Sequence, residues 1–409
     1  MGVLAVNGGP KAAAALESIV WPRLHPQDAA AVERALEDLC WGGFNNQPNR
    51  EFERVFAQYC GAKYGITVAN GTVSLELSLK AGGIRPGDEV LVPAMTFIAS
   101  ASAIISVGAL PVFADVDPDT CQISAESIEA SITPRTRGIV VVHYGGYMAD
   151  MDAINAVAKR HGLVVVEDCA HAQGSQWKGI GAGALGDFGS YSFQISKALS
   201  AGEGGIVLTN DEGLYEKAVL MMNLGRKLGQ TDYEHFLSAS NWRMGGLQAA
   251  LVLSQFGRLP QEVGERDKNG IYLRNELGKI PGFKALKEDA RITRRGYYFD
   301  VFKFDGKAFG CSRYNFRKAL KAEGVEEFGF GYGRPIYYEP AFAFENLRPL
   351  LHESIAIPDY NGLRLPNTEE WAATQLTFNH KYLLGDGSNT EVLVNAVKKV
   401  MENVRELAE

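Results

Sequence analysis

Between residues 60 and 170 the chain alternates short apolar runs with helix-length segments, and this alternation restricts the fold more than any other feature. Residues 64–69, 89–92, 110–114, 138–143 and 163–167 each read as a short buried strand. Residues 72–80, 99–106 and 152–161 read as helices between them, the last stopped by Gly162. Strands joined through helices pair in parallel and are covered on both faces, so the expectation is an α/β chain with a mainly parallel sheet. The pattern then breaks. Residues 187–194 and 205–209 are strand-like runs with only a loop between them, which predicts a strand pair added to that sheet.

Residues 1–45 read as an N-terminal arm and one helix over 28–40, with Val32, Leu36 and Leu39 on its apolar face and Gly42 as its stop. Residues 46–264 read as a large domain that ends in a helix-rich connector near 247–259. Residues 265–409 read as a smaller α+β domain with strands near 297–304. Its closing helix begins at a Ser388/Glu391 capping box and buries Leu393, Val397, Val400, Val404 and Leu407. A chain of 409 residues exceeds one ordinary core. Net charge is −7 with no basic block, which argues against nucleic acid or an anionic membrane as partner. The five cysteines, Cys40, Cys60, Cys121, Cys169 and Cys311, are scattered and form no Cys-x-x-Cys pair. Neither a metal site nor a disulfide framework is expected, and a reducing compartment is. The first ten residues lack the features of a signal peptide, and no apolar stretch is long enough to span a bilayer. The expected location is the cytoplasm.

Two short motifs mislead. Gly181-Ala182-Gly183-Ala184-Leu185-Gly186 matches G-x-G-x-x-G, but it does not follow a clear strand and open a helix, so it reads as a flexible loop. Asp187-Phe188-Gly189 spells a kinase motif with none of its companions.

Three other segments carry groups whose chemistry fits together. Asp168 ends the run Leu163-Val164-Val165-Val166-Glu167-Asp168, at the carboxyl edge of a buried strand, where open α/β sheets bind ligands. A helix cap or turn residue is the ordinary alternative. Asn70-Gly71-Thr72-Val73 stands at a strand-to-helix junction, where the N–H groups of Thr72 and Val73 and the Thr72 hydroxyl can meet an anion, with Ser192 as a second hydroxyl. Many such junctions only cap a helix. Lys197 lies among small residues and glycines in a tight loop between two apolar strands, where an amine can be desolvated and made nucleophilic. Most lysines are solvated surface charges. Phe97 offers a flat apolar face, although a core phenylalanine is the commoner case. An amine for a Schiff base, a carboxylate for a pyridine nitrogen, an anion cradle and a stacking group are what pyridoxal 5'-phosphate (PLP) needs from a protein. At ~4 Å and an effective dielectric of ~20, such a carboxylate attracts the pyridinium by ~4 kcal/mol, or ~3 pKa units.

Taken in order, Ala69-Asn70-Gly71-Thr72, Pro93-Ala94-Met95-Thr96-Phe97, Glu167-Asp168-Cys169-Ala170-His171, Ser192-Phe193, Lys197, Gly202-Glu203-Gly204-Gly205 and Ser240-Asn241-Trp242-Arg243-Met244 resemble the DegT/DnrJ/EryC1/StrS family of PLP-dependent sugar aminotransferases. The resemblance implies an aspartate-aminotransferase-like α/β fold and a homodimer with shared active sites. It implies Lys197 as the cofactor lysine and proton-transfer base, and Asp168 as partner of the ring nitrogen. His171 would face the ring hydroxyl, and Gly71, Thr72, Val73 and Ser192 the phosphate. Phe97 would stack on the ring, and Asn241 would reach the phosphate of the neighbouring subunit. Within the family the chain is similar to glutamine-dependent ketocyclitol aminotransferases and to 3-amino-5-hydroxybenzoate synthases, with nucleotide-ketosugar aminotransferases as a further alternative. The implied reaction moves an amino group from L-glutamine or L-glutamate to a cyclic polyhydroxy ketone. A PLP-binding regulatory protein is the non-enzymatic alternative, and intact Lys197 and Asp168 weigh against it. Tyr144, Tyr337, Tyr338 and His380 are candidates for the acceptor pocket, and Arg226 or Arg334 for a nucleotide diphosphate. Two departures stand out: Gly245-Gly246 replaces a larger polar residue, and the turn His143-Tyr144-Gly145-Gly146-Tyr147 lacks the usual leucine.

Overall fold

The structure is a computed structural model and describes residues 3–43, 46–229 and 231–407. The expected boundary at residue 45 lies outside the described residues. After two 3-10 turns, Ala5–Asn7 and Ala14–Ser18, come the helices α1 (Pro26–Glu37) and α2 (Gln47–Cys60). The expected alternation follows: β1 (Tyr64–Val68), α3 (Gly71–Ala81), β2 (Glu89–Pro93), α4 (Ala99–Ser106), β3 (Leu110–Ala114), α5 (Ala125–Ser131), β4 (Thr136–Val142), α6 (Met151–His161) and β5 (Val164–Asp168). A small ribbon, β6 (Gln176–Trp177) and β7 (Ile180–Gly181), precedes the pair β8 (Phe188–Ser192) and β9 (Gly205–Thr209). Helices α7 (Glu212–Met222), α8 (Gly246–Phe256) and α9 (Leu259–Leu277) follow. The rest comprises β10 (Phe283–Ala285), β11 (Ile292–Arg294), β12 (Phe299–Phe304), α10 (Gly306–Phe309), α11 (Arg313–Ala322), β13 (Phe328–Gly329), α12 (Phe344–Leu347), α13 (Pro366–Thr374), β14 (Gln375–Asn379) and α14 (Ser388–Glu402).

Seven strands form the main sheet in the order β1-β9-β8-β5-β4-β2-β3. β9 alone runs against its neighbours, β8 and β1, and the other pairings are parallel. The predicted strand pair is therefore built into the sheet. One face is packed by Phe52 and Phe56 of α2, Ile154 of α6 and Val252 of α8. The other is packed by Leu75 and Leu79 of α3, Ile104 of α4 and Ala218 of α7. Ile336, Tyr337, Phe342 and Tyr360 also cover this second face, so part of the C-terminal third belongs to the core of the main sheet. A second sheet, β10-β12-β14-β13, carries its own core with α11 and α14, and Leu4, Ala13 and Leu16 of the arm complete it. The expected division at residue 265 falls inside α9.

Three local expectations are corrected. The first helix stops at Glu37, before Gly42. Leu39 takes a left-handed backbone (φ 55°) and the Cys40 N–H returns to the Ala35 carbonyl at 2.9 Å, which closes the helix. Its presumed core residues Leu36 and Leu39 are exposed by 41% and 77%, and Asp28 and Ala35 are the buried ones. The last helix has no Ser388/Glu391 capping box. Gly387 holds the N-cap with φ 106°, and the Ser388 N–H donates to Asp386 Oδ1 at 3.0 Å. That helix ends at Glu402, with Val404 and Leu407 on a following 3-10 turn. The Gly245-Gly246 departure has a steric reason: a Cβ on Gly246 would lie 1.8 Å from the Cys40 carbonyl oxygen.

Leu393 is fully buried in the smaller core. Leu393→Ala is expected to cost about 2–5 kcal/mol. Glu391→Ala, which removes no cap, is expected to stay within about 0.5 kcal/mol of the parent. Denaturant midpoints of the two variants check both.

Candidate active site

Side chains alternate along a strand, so the adjacent carboxylates that end β5 face opposite ways. Glu167 points into the core and is fully buried. Its Oε1 accepts the N–H groups of Leu185 and Gly186 at 2.8 and 2.7 Å, and its Oε2 accepts that of Gly183 at 3.0 Å. His143 Nδ1 accepts the Ala149 N–H at 3.2 Å, so the proton lies on Nε2, which donates to Glu167 Oε2 at 2.9 Å. The glycine-rich stretch expected to be a flexible loop is thus bound to the protein's own carboxylate. His143, Glu167 and Cys169 place ligand-type atoms within 4.8 Å of one another, but both ring nitrogens and both carboxylate oxygens are already hydrogen-bonded.

Asp168 points the other way, into a cavity of about 740 Å³ at the carboxyl edge of the sheet. Its Oδ1 accepts the Ala170 N–H at 3.1 Å and its Oδ2 accepts the Ser100 hydroxyl at 2.7 Å, with Ser100 in turn 2.7 Å from Thr96 Oγ1. Lys197 enters from the loop joining β8 to β9. The loop is tightened by Ala201 N–H to Phe193 O at 2.8 Å and Lys197 N–H to Gln194 O at 2.8 Å. Trp21 of the arm donates its indole N–H to the Lys197 carbonyl at 3.1 Å. Lys197 is only partly buried as a residue, but its amine lies inside the cavity, 4.2 Å from the centre of the Tyr298 ring. Burial lowers its pKa to about 8, against the opposing pull of Asp168. Roughly a tenth of the amine is then unprotonated at pH 7.

The same cavity is lined by Gly71, Thr72, Val73, Phe97, His171 and Ser192. A Cβ on Gly71 would lie 2.6 Å from the Ser192 Cβ, so only glycine lets α3 start this close to β8. Val73 is corrected in one respect: its N–H already donates to Asn70 Oδ1 at 2.9 Å. The donors left over at the helix start are those of Gly71 and Thr72, which have no intrahelical acceptor. His171 is held neutral, because burial and the nearby Lys197 push its pKa well below the usual range. Its Nδ1 accepts the Gly145 N–H at 3.4 Å and its Nε2 is 3.1 Å from the Tyr332 hydroxyl.

The four acceptor-pocket candidates do not line this cavity. Tyr144 is buried and donates to Gln375 Oε1 at 3.0 Å. Tyr337 and Tyr338 both donate to Glu369 Oε1, at 2.9 and 3.1 Å. His380 is buried behind the lysine loop, 3.4 Å from the Ser196 carbonyl and edge-on to Trp21. Asn241 is exposed outside the cavity, in an antiparallel bridge with Asn223, and Arg334 is held by both oxygens of Glu339 at 2.7 and 2.6 Å. Besides Phe97 and His171, the aromatic groups that line it are Tyr298 and Tyr332, with Gln194, Ser196 and Glu203 beside them. Tyr332 had a sequence signal, an aromatic residue between the left-handed glycines Gly331 and Gly333. Tyr298 had none, since three aromatics follow one another at 297–299. A larger and more open groove of about 1250 Å³, with Lys284, Lys303 and Asp305 in its lining, lies against the smaller sheet and holds none of these groups.

Among known proteins, residues 23–396 match the DegT/DnrJ/EryC1/StrS aminotransferase family. The chain is 37% identical over 398 residues to the putative L-glutamine:3-amino-2,3-dideoxy-scyllo-inosose aminotransferase of Streptomyces kanamyceticus, covering 94% of each. It is 34% identical to the 3-amino-5-hydroxybenzoate synthase of Amycolatopsis mediterranei, over 93% of this chain and 97% of that one. A crystal structure of 3-amino-5-hydroxybenzoic acid synthase superposes with a TM-score of 0.82 at 32% identity, covering 93% of this chain and 98% of the other. That of an aminotransferase from Psychrobacter cryohalolentis gives 0.85 at 32% identity, covering 94% and 99%. The fold is thus that of the PLP-dependent aminotransferases, and this chain belongs to the DegT/DnrJ/EryC1/StrS aminotransferase family as a PLP-dependent transaminase.

Proposed function

We propose that this transaminase moves the amino group of L-glutamine or L-glutamate to a cyclic polyhydroxy ketone, in the cytoplasm and as a homodimer with shared sites. The observation that carries the reading is the single cavity into which Lys197, Asp168 and the start of α3 all open. Its residues fit the cofactor: an amine of lowered basicity, a carboxylate with both oxygens already oriented by protein donors, and two free N–H groups at a helix N-terminus. When bound, PLP supplies a carbonyl that exchanges amines and a ring that accepts electrons. Lys197 would hold the cofactor through its amine and, in each half of the reaction, move the proton between the two carbons that flank the transferred nitrogen. Asp168 keeps a proton on the ring nitrogen. The N–H groups of Gly71 and Thr72 and the hydroxyls of Thr72 and Ser192 bind the phosphate. Val73 borders that site, Phe97 would stack on the ring, and neutral His171 would contact the ring hydroxyl.

The substrate class rests on the lining. Apart from Lys197, no lysine or arginine is among the described residues that line the cavity, and Gln194, Ser196, Tyr298 and Tyr332 are neutral hydrogen-bonding groups. Such a wall suits the hydroxyls of an uncharged ring better than a nucleotide diphosphate. The relatives named for ketocyclitol substrates support the same choice. The dimer is supported by large apolar side chains that one chain leaves open to solvent, Leu24, Leu39 and Trp41, exposed by 78%, 77% and 59%. Asn241 is the residue we assign to the partner's phosphate site.

Asp168→Asn keeps the shape and removes the charge. Its rate of amino transfer from glutamine is expected to fall at least ~100-fold, read in single-turnover absorbance with cofactor still bound. Mixed dimers of inactive Lys197→Ala and inactive Asn241→Ala subunits are expected to regain one working site each. No recovery after verified subunit exchange would mean that each chain completes its own site. For the acceptor, scyllo-inosose, an aminodehydroquinate-type compound and a nucleotide-linked ketohexose are offered in competition with glutamine as donor. Amination of the free cyclitol is expected. Amination of the nucleotide sugar alone refutes the preference, and an aromatic amine without net amino transfer identifies the synthase reaction.

A further inference from the structure

Tyr298 meets the site at three points. The Lys197 Nζ lies over its ring, 4.2 Å from the centroid. The His171 ring stacks on it at 4.3 Å with an interplanar angle of 18°. Its hydroxyl is 2.9 Å from Ser196 Oγ, and Ser196 donates to Gln194 Oε1 at 2.7 Å. The direction of the side chain is set by the residue before it. Tyr297 is fully buried and takes a left-handed backbone (φ 47°) that a bulky side chain adopts only when its surroundings enforce it. Those surroundings are tight. A Cβ on Gly270 would lie 2.4 Å from Tyr297 Cζ, one on Gly146 would lie 2.8 Å from Tyr297 N, and the Arg295 guanidinium covers the Tyr297 ring at 4.2 Å.

We propose that Tyr298 is a positioning residue for Lys197, its ring face receiving the ammonium group whenever the lysine is not joined to the cofactor. The inference rests on the role given to Lys197 above. An ammonium group is attracted by the negative face of an aromatic ring, and more strongly where water is excluded. The other groups that face Lys197 are Asp168 at the end of β5, His171 just after it and His380 in the turn after β14, with Glu203 and Tyr332 in the same lining. His171 and His380 are both held neutral by burial, so neither repels the ammonium as a full charge. Asp168 attracts it and Tyr298 adds a second attraction, so the released amine stays at the reacting side of the cavity. The sign follows: the ring favours the charged amine, so it raises the pKa that burial alone would leave, and loss of the ring lowers the titration midpoint.

The test titrates Lys197 in the full chain freed of cofactor, by competitive acetic anhydride labelling and mass spectrometry of the Lys197 peptide. The wild-type midpoint is expected at about 8. Tyr298→Leu is expected to shift it down by about half a unit or more, whereas Tyr298→Phe, which keeps the ring, leaves it within about 0.3 unit. Pentafluorophenylalanine at position 298 keeps the shape and reverses the charge distribution of the ring, so it is expected to act like leucine. It decides the matter if the leucine variant fails to fold. An unshifted midpoint with either ring-altering replacement overturns the proposal. Borohydride fixation of PLP separates this inference from the function it rests on. Fixation to a lysine other than Lys197 refutes the assigned function, whereas fixation to Lys197 without a shifted midpoint refutes only the role of Tyr298.

Discussion

The buried carboxylate of Glu167 fixes the geometry on which both sides of the site depend. It lies in the centre of the sheet with no exposed surface and accepts three backbone N–H groups and one imidazole N–H. Each of those donors would be left unsatisfied without it, at a cost of about 1–3 kcal/mol apiece. Through Gly183, Leu185 and Gly186 it ties the segment before β8 to the end of β5. Through His143 it ties the end of β4 to the same point. The neighbouring Asp168 is therefore presented by a strand end that cannot rotate, and its own two oxygens are oriented by Ala170 and Ser100. One carboxylate holds the frame that aims the next into the cavity.

Lys197 is governed by a different balance. Its loop is restrained from three directions: by Trp21 of the arm, by His380 behind it and by Tyr298 over its amine. These contacts come from residues widely separated in sequence, and together they exclude water from an amine that would otherwise stay protonated well above neutral pH. Desolvation lowers the basicity of the amine, and Asp168 opposes that shift. The resulting amine is poised to give or take a proton near neutrality, which suits a group that acts as both acid and base.

The strands of the main sheet were legible because they are continuous apolar runs with helices between them, a pattern set by local burial. The meeting of Asp168, Lys197 and Gly71 in one cavity was legible because each stands at a strand end or in a tight loop. α2 was not anticipated, since two of its buried positions are polar. Asn49 donates to Thr67 Oγ1 at 3.1 Å and Glu53 accepts the Thr67 N–H and hydroxyl, each at 2.8 Å, which breaks the apolar stripe that marks a helix. The capping box failed because Gly387 and Asp386 offered the chain a different start. That Tyr298 rather than Tyr144, Tyr337 or Tyr338 lines the cavity has a longer-range reason. Which ring of a run such as Tyr297-Tyr298-Phe299 faces the cavity is decided by glycines at 146 and 270, far along the chain.

The arm has a consequence for how such a chain is made. Leu4, Ala13 and Leu16 are buried with Phe302, Leu376 and Val397, while the Ala5 and Ala12 N–H groups bind the two oxygens of Glu323, each at 2.8 Å. The arm thus waits for partners 311 and 318 residues further along the chain. All seven strands of the main sheet emerge by residue 209, but the arm has nowhere to dock until Glu323 has emerged and no completed core to join until Val397 has. Closing a loop of that length is slow compared with forming local contacts. The smaller core is therefore completed only once Val397 has emerged, and until then the apolar side chains of the arm travel uncovered.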